Sequence, residues 1–223
     1  MLSVEEGGER VRLPKHIAII PDGNRRWAVR NQLQKQEGYE RGLDPGLRVL
    51  RKAKEYKIPE ITYYGFTTDN CKRPKVQQEA FRKACVDAVK MIENEGNVSL
   101  LVVGDMSSKN FPRELCEYRQ RKEIGTPEIK VNFLVNYGWE WDLSKMVSDG
   151  EEKYSKRDIH SSDISRIDLI IRWGNMRRLS GMLPIQSVYA DFYVVEELWP
   201  DYQDQDFEEA LRWYDKQDVT LGG

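Results

Sequence analysis

Short, almost uninterrupted apolar runs alternate with stretches of helical periodicity along nearly the whole 223-residue chain. Residues 16–20, 61–66, 98–103, 129–135 and 168–172 read as strands, and residues 187–195 as a sixth. These runs are apolar at nearly every position, the pattern of strands covered on both faces. Helical pattern fills residues 25 onward, 39–56, 76–94, 110–122, 139–148 and 205–214, while the polar residues 149–163 read as a loop or short helix. Phe81, Cys85, Ala88 and Ile92 form one apolar stripe along the longest of these helices. Strand–helix alternation requires right-handed crossovers. The expected fold is therefore α/β, a mainly parallel six-stranded sheet flanked by helices. Residues 1–14 are expected to be a tail and residues 15–223 a single domain.

Composition removes several function classes. Lys+Arg is 35 and Asp+Glu is 37, a net charge of −2, so nothing global favours nucleic acid and any anion site must be a local cluster. No run approaches the roughly 18 apolar residues of a membrane span. The first residues are acidic (Glu5, Glu6, Glu9) and lack the apolar core of a secretory signal. Cys71, Cys85 and Cys116 match neither a disulfide framework nor a zinc site, so free thiols in a reducing cytoplasm are expected. His16 and His160 are the only histidines, which disfavours histidine-based catalysis.

Ligands of open α/β sheets sit beyond the carboxyl ends of the strands. Asp22-Gly23-Asn24-Arg25-Arg26-Trp27 follows the first strand, and Thr67-Thr68-Asp69-Asn70 with Lys72, Arg73 and Lys75 follows the second. Asn136-Tyr137-Gly138 follows the fourth, and the fifth ends in Arg172, running on through Arg177, Arg178 and Ser180. Three of these four segments are basic. Gathered on one edge, they would form a phosphate-type anion site of helix N-termini, glycine turns and arginine forks. A lone carboxylate among cations, Asp22, fits a divalent metal held against phosphate; alone, it reads equally as a helix cap. Trp27 and Trp173 read as packing residues. No GxxxxGK[ST] or GxGxxG sequence is present.

From His16-Ile17-Ala18-Ile19-Ile20-Pro21-Asp22-Gly23-Asn24-Arg25-Arg26-Trp27-Ala28 the sequence resembles the cis-prenyltransferases of the undecaprenyl diphosphate synthase type. Gly38 and Gly42, Phe66 to Asn70, Arg73-Pro74, Gly104-Asp105, Asn136-Tyr137-Gly138, Asp168 to Ser180, Gln186, Tyr189-Ala190-Asp191 and Trp199-Pro200-Asp201 continue the likeness in order. The resemblance implies a homodimeric "butterfly" α/β fold with an apolar tunnel. It implies Mg²⁺-dependent transfer of an allylic prenyl group from its diphosphate to isopentenyl diphosphate, giving a short Z-product. It places Asp22 at the metal and Asn70 near the reacting carbons. Gly23, Asn24, Arg25, Arg26, Lys35 and Tyr39 would take the allylic diphosphate. Arg172, Arg178 and Ser180 would take the acceptor diphosphate, and Asp191 would be the second metal carboxylate. An apolar product leaves through or near a membrane, so peripheral membrane contact stays open.

The sequence also departs from that pattern. Arg25 stands for a family glycine, Pro21 for a residue such as Met, Tyr39 for His, Cys71 for Trp, and Asp191 for Glu. Trp173, Asn175 and Met176 interrupt the stretch after Arg172, and residues 219–223 lack the family's Arg-x-Gly ending. The allylic half of the site is kept while the acceptor half is altered. Irregular head-to-middle coupling of two allylic diphosphates, as in the lavandulyl-type branch, is the alternative. A non-catalytic subunit of a heteromeric synthase is a third reading, against which Asp22 argues, and a diphosphate-binding module is a fourth. The polar residues of the long helix and its modest length favour a small product.

Overall fold

The first apolar run, β3 (His16–Ile20), lies near the middle of a seven-stranded sheet. The computed structural model describes residues 2–6, 9–148 and 158–218. Its strands are β1 (Leu2–Glu6), β2 (Glu9–Leu13), β3, β4 (Glu60–Tyr64), β5 (Val98–Val103), β6 (Lys122–Ile124), β7 (Ile129–Leu134), β8 (Leu169–Arg172) and β9 (Asp191–Val194). The main sheet has the order β6-β5-β7-β4-β3-β8-β9. β3 pairs in parallel with β4 (Ile17 opposite Ile61) and with β8 (Ile17 opposite Leu169). The carboxyl ends of β4, β3 and β8 therefore emerge side by side, about 5 Å from one strand to the next.

Successive residues of the apolar runs feed two separate cores, as the period of two requires. Ile17, Ile19, Leu100, Val102, Leu169 and Ile171 face one core, closed by Val49, Leu50 and Ala53 of α3 (Leu43–Glu55), Cys85, Val89 and Ile92 of α4 (Lys75–Glu95), and Phe207, Ala210 and Leu211 of α6 (Asp204–Asp215). Ala18, Ile20, Leu101, Val103 and Ile170 face the other, closed by Tyr137, Ile164, Ile167, Met182 and Leu183, with Trp141 of α5 (Trp139–Ser148) packed against it. Burying each Leu or Ile completely contributes about 1.5–3 kcal/mol. A charge in β3 would thus disrupt both layers.

The six expected parallel strands are present, and the structure adds a seventh. β6 is three residues long and runs antiparallel to β5 at the sheet edge. Residues 110–122 are correspondingly not an α-helix: a 3-10 stretch, Arg113–Arg119, leads into β6. The last expected strand is shorter than 187–195, because Ser187 bonds back to Leu183 and Ala190 to Ser187 before β9 begins. Within the N-terminal segment, β1 and β2 pair as an antiparallel hairpin. Arg12 of β2 ties onto the end of α6, its main-chain N–H donating to Asp215 Oδ1 (2.6 Å) and its guanidinium to the Gln217 carbonyl (2.9 Å). The expected helix 39–56 divides into α2 (Gly38–Arg41) and α3 at Gly42, where a Cβ would stand 2.6 Å from Asn24 Oδ1 and 2.8 Å from the Trp199 ring.

At the amino ends of the strands lies a buried polar cluster remote from the basic segments. His16 Nδ1–H donates to the Ser165 carbonyl (3.1 Å) and its Nε2 accepts from the Thr62 hydroxyl (2.7 Å). Asn132 donates to Glu60 (2.8 Å) and to Thr62 (3.0 Å). Burial holds the His16 pKa below its usual value, with Glu60 opposing.

Candidate active site

β3 ends at Ile20, and the chain turns through Pro21 and Asp22 into Gly23, whose φ is +111°. A Cβ there would lie 2.9 Å from Leu198 and in left-handed backbone, so glycine is required. α1 (Asn24–Arg30) starts immediately after, leaving its first-turn N–H groups at the sheet edge. Trp199 N–H donates to the Asp22 carbonyl (3.0 Å) and fixes the turn. Asn24 bonds back to Pro21 through its amide (2.9 Å), while its Oδ1 is buried without a partner.

Asp22 is braced by two arginines. Arg172, the last residue of β8, donates through Nη2 to Asp22 Oδ2 (2.8 Å), and Arg26 reaches Oδ1 at 3.5 Å. The Arg172 side chain is only 4% exposed, and its Nη1 also bonds Ser180 Oγ (2.9 Å) and the Arg178 carbonyl. Ser180, Asn175 and Gly174 all hold positive φ (54°, 56° and 84°), so the loop after β8 is bent tightly toward Asp22. At Gly174 a Cβ would come within 2.4 Å of Arg26 Nη2. Tyr64, the last residue of β4, donates to the Ser180 carbonyl (2.7 Å), and burial pushes its hydroxyl well above the usual pKa, so it stays a donor.

The segment after β4 adds the second wall. Asn70 Oδ1 accepts from the Thr67 N–H (2.9 Å), which commits its oxygen to a turn and leaves the amide N–H₂ for a ligand. Arg73 Nη1 donates to the Tyr39 hydroxyl (2.9 Å) and its guanidinium lies 5.5 Å from the centre of the Phe81 ring. Burial lowers the Arg73 pKa; Tyr39 and Asp22 oppose this, while Arg25 adds to it. No carboxylate pairs with Arg73 among the described residues. A half-buried cation without a carboxylate is costly unless an anion arrives.

These residues line one cleft of about 800 Å³. Seven cationic side chains border it (Arg25, Arg26, Arg30, Lys35, Arg73, Arg172, Arg178) against two carboxylates, Asp22 and Asp69, an excess of five positive charges in a chain of net charge −2. Arg30 and Asp69 are partly spent elsewhere, on Asp201 and Lys72. Arg25 bonds Gln77 Oε1 at 3.4 Å. Thus Asp22, Gly23, Asn24, Arg25, Arg26, Lys35, Tyr39, Asn70, Arg172, Arg178 and Ser180 all come together in this cleft.

Asp191 does not. It opens β9 opposite Leu169, the first residue of β8, whereas Arg172, which holds Asp22, is the last. Three residues of strand, about 10 Å, separate the two levels. Its neighbours are Arg12 and Asp168 rather than the cleft, and burial raises its pKa. The expectation that Asp22 and Asp191 share a metal is therefore not met within one chain. Among the described residues there is no cluster of three or more His, Cys, Asp or Glu able to hold a metal. One hard carboxylate beside an anion cleft still suits Mg²⁺, which takes one or two carboxylates and completes its shell with phosphate oxygens and water. Tyr64 and Arg73 line the same cleft although neither was assigned a particular role, Arg73 being expected only as one of the basic residues after a strand; Phe81, from the apolar stripe expected either in the core or as a wall for the prenyl tail, lines it too. Residues 219–223 lie outside the described residues.

A mostly parallel α/β sheet whose strand ends carry a cationic cleft and one braced carboxylate has the features of a protein that takes phosphorylated ligands. The family model for undecaprenyl diphosphate synthases matches residues 20–222, and the chain belongs to that family of prenyltransferases. It is 32% identical to the (2E,6E)-farnesyl-diphosphate-specific ditrans,polycis-undecaprenyl-diphosphate synthase of Yersinia pseudotuberculosis, covering 95% of this chain and 91% of the relative. It is 30% identical to an isoprenyl transferase of Heliobacterium mobile, covering 95% and 88%. The crystal structure of lavandulyl diphosphate synthase from Lavandula x intermedia, in complex with dimethylallyl diphosphate, superimposes with a TM-score of 0.81 at 21% identity, covering 95% of this chain and 99% of that one. That likeness shows the fold. No helix among the described residues is long and apolar enough to cross a membrane.

Proposed function

We propose that this prenyltransferase moves an allylic prenyl group from its diphosphate to isopentenyl diphosphate, with the allylic diphosphate bound between α1, Arg73 and Asp22. The observation that carries this reading is the Asp22 carboxylate held by Arg172 and Arg26 inside a cleft with an excess of positive charge. The C–O bond of the allylic diphosphate breaks and its electron pair leaves with the diphosphate. The π electrons of the acceptor form the new C–C bond to the allylic carbon, and the acceptor loses one proton to a basic diphosphate oxygen. The difficult part is the charge on the leaving group. Arg25, Arg26, Lys35 and Arg73 neutralise it where it develops, with Gly23 and Asn24 offering main-chain N–H groups. Arg178, Ser180 and the loop after β8 receive the acceptor diphosphate, positioned by Arg172. Asn70, with its amide N–H₂ left for a ligand, orients the reacting carbons.

Mg²⁺, held by Asp22 and by phosphate oxygens, would add Lewis-acid stabilisation of the departing diphosphate. We also propose a homodimer. Trp139, Leu179, Ile185, Val188 and Tyr189 are exposed apolar side chains whose burial would favour association.

The test is product analysis of the purified protein with Mg²⁺ and dimethylallyl, geranyl or farnesyl diphosphate, each with and without isopentenyl diphosphate. The expected product requires isopentenyl diphosphate and is longer than its donor by whole isoprene units. A product from allylic diphosphates alone would replace this reading by head-to-middle coupling, for which Arg25 and the altered acceptor loop are the supporting features. Diphosphate binding without any product would overturn both.

A further inference from the structure

Residues 195–201, between β9 and α6, do not line the cleft, yet they bond to both of its halves. Leu198 packs on Gly23, where a Cβ would stand 2.9 Å from its side chain. The Trp199 N–H donates to the Asp22 carbonyl (3.0 Å) and its Nε1–H to the Gly42 carbonyl (2.9 Å). The Trp199 ring meets that of Trp173, the neighbour of Arg172, edge-on at 4.8 Å. On the acceptor side the Gly174 N–H donates to the Glu197 carbonyl (2.7 Å) and the Asn175 N–H to the Val195 carbonyl (3.0 Å). The turn of Asp22 and the loop after β8 thus hang on one short stretch of chain.

One side chain of that stretch reaches α1. Asp201 accepts from Trp27 Nε1–H through Oδ1 (2.8 Å) and from the Arg30 guanidinium through Oδ2. Trp27 and Arg30 are three residues apart and share one face of α1. Trp27 directly follows Arg26, which reaches Asp22. α1 needs such a hold. Its seven residues are too few for a helix that is stable alone, and Gly23 before it offers no side-chain cap. Its first turn carries Arg25 and Arg26 and no acidic residue, the arrangement that the helix dipole disfavours. Asp201 supplies two anchors from outside, which fix the rotation of α1 about its own axis and so the direction in which Arg25 and Arg26 point. With Arg30 58% and Asp201 32% exposed, the ion pair adds little to global stability. Its effect lies in geometry, since a displacement of about 1 Å at a reacting group can cost about a hundredfold in rate.

Given the transferase reading above, we propose that Asp201 is a positioning residue for the donor half of the site. Through Trp27 and Arg30 it sets the rotation of α1, and with it the place of Arg25 and Arg26 at the departing diphosphate.

The test measures kcat and both KM values with the best donor among dimethylallyl, geranyl and farnesyl diphosphates, isopentenyl diphosphate and Mg²⁺. The proteins are the wild type, Asp201→Ala, Asp201→Asn, Trp27→Phe and the double variant D201A/W27F. D201A is expected to lose at least tenfold in kcat, with both KM values within threefold of the wild type and the urea midpoint unchanged. D201N keeps an oxygen for Trp27 and should recover at least threefold of that loss. W27F removes the same bond from the α1 side, so the double variant should fall no more than threefold below D201A. A smaller kcat loss in D201A, a change in either KM beyond threefold, no recovery in D201N, or losses that multiply in the double variant overturns the positioning role. Should D201A not fold, W27F is read in its place, with a kcat loss of at least threefold expected and a smaller one overturning the role. Absence of product from the wild type with every donor overturns the transferase reading instead. Asp201 is then judged by amide hydrogen exchange in whichever Asp201 variant folds. Residues 24–30 should exchange at least tenfold faster than in the wild type while α3 is unchanged; equal rates, or a rise that α3 shares, overturn the hold on α1.

Discussion

Replacing Asp22 by Asn separates two roles that the carboxylate has in this geometry: bracing two arginines and holding a cation against phosphate. The Asn carbonyl still accepts from Arg172, so the brace is weakened rather than removed. Arg172 is 4% exposed and Asp22 34% exposed, which places the pair between the exposed and the buried case. Exposed pairs are worth about 0–1 kcal/mol, and stripping one partner from a buried pair costs about 3–5 kcal/mol, so with the hydrogen bond kept the expected loss of stability is about 1–2 kcal/mol. The effect on metal-free anion binding has the opposite sign. One negative charge about 5 Å from a phosphate oxygen in a water-filled cleft repels it by about 0.8 kcal/mol per unit charge. Removing that charge, and freeing Arg26 and Arg172 toward the ligand, should tighten inorganic diphosphate binding roughly fourfold in chelator-treated protein. Turnover with Mg²⁺ should instead fall by about 10²–10³, the size of losing one group that stabilises developing charge. Urea unfolding, calorimetry with diphosphate in the presence of chelator, and a turnover assay give the three numbers. Weaker metal-free diphosphate binding in D22N would refute the reasoning, since it would make Asp22 an organiser of arginines and nothing more.

Arg73→Leu should weaken diphosphate binding by at least tenfold while leaving urea stability unchanged or about 1 kcal/mol higher, because a half-buried cation with no carboxylate is removed; a clear destabilisation would show that the Tyr39 bond and the Phe81 contact outweigh its desolvation. Gly174→Ala puts a Cβ 2.4 Å from Arg26 Nη2 at a φ of +84°, so it should cost about 1–3 kcal/mol of stability and lower turnover by displacing Arg26; unchanged kinetics would detach Arg26 from the site. His16 has a folded pKa below its ordinary 6.5, so the unfolded chain takes up its proton first and stability should fall as the pH drops below about 6.5; thermal melts of H16Q should lose that step, and a slope that survives would assign it elsewhere.

The parallel sheet was legible because its signal is local. β3, β5 and β7 carry their burial in consecutive apolar residues, and the turn chemistry of Pro21 to Asn24 marks where β3 stops. β6 was not legible: Lys122-Glu123-Ile124 is a short, charged edge strand whose pairing comes from β5 rather than from its own pattern. The same edge accounts for residues 110–122, where a 3-10 stretch gives way to that pairing. The gathering of Asp22, Arg73 and Arg172 followed from a rule about strand ends. The Tyr39–Phe81 stack and the Arg73–Tyr39 bond did not, because they join α2 to α4 and to the turn before it across more than thirty residues. Asp191 was misplaced for a related reason. Read as the middle of a strand over 187–195 its level is undefined, and only the register opposite Leu169 sets it at the amino edge.

That misplacement has a consequence for the chemistry. Asp22 and Arg172 are 150 residues apart in sequence and meet because β3 and β8 are neighbours that end at the same level. Residues that follow these strand ends arrive on this side, and here they are cations, turns and two carboxylates, of which Asp69 is paired with Lys72. A further unpaired carboxylate from the same edge would cancel part of the cleft's charge excess. A metal held within one chain by Asp22 alone would take its remaining oxygens from phosphate and water, so cation and diphosphate would each strengthen the other's binding. Such a cleft would need no preformed metal cage. It would need one fixed carboxylate, arginines arranged around it, and a ligand that brings part of the coordination shell with it.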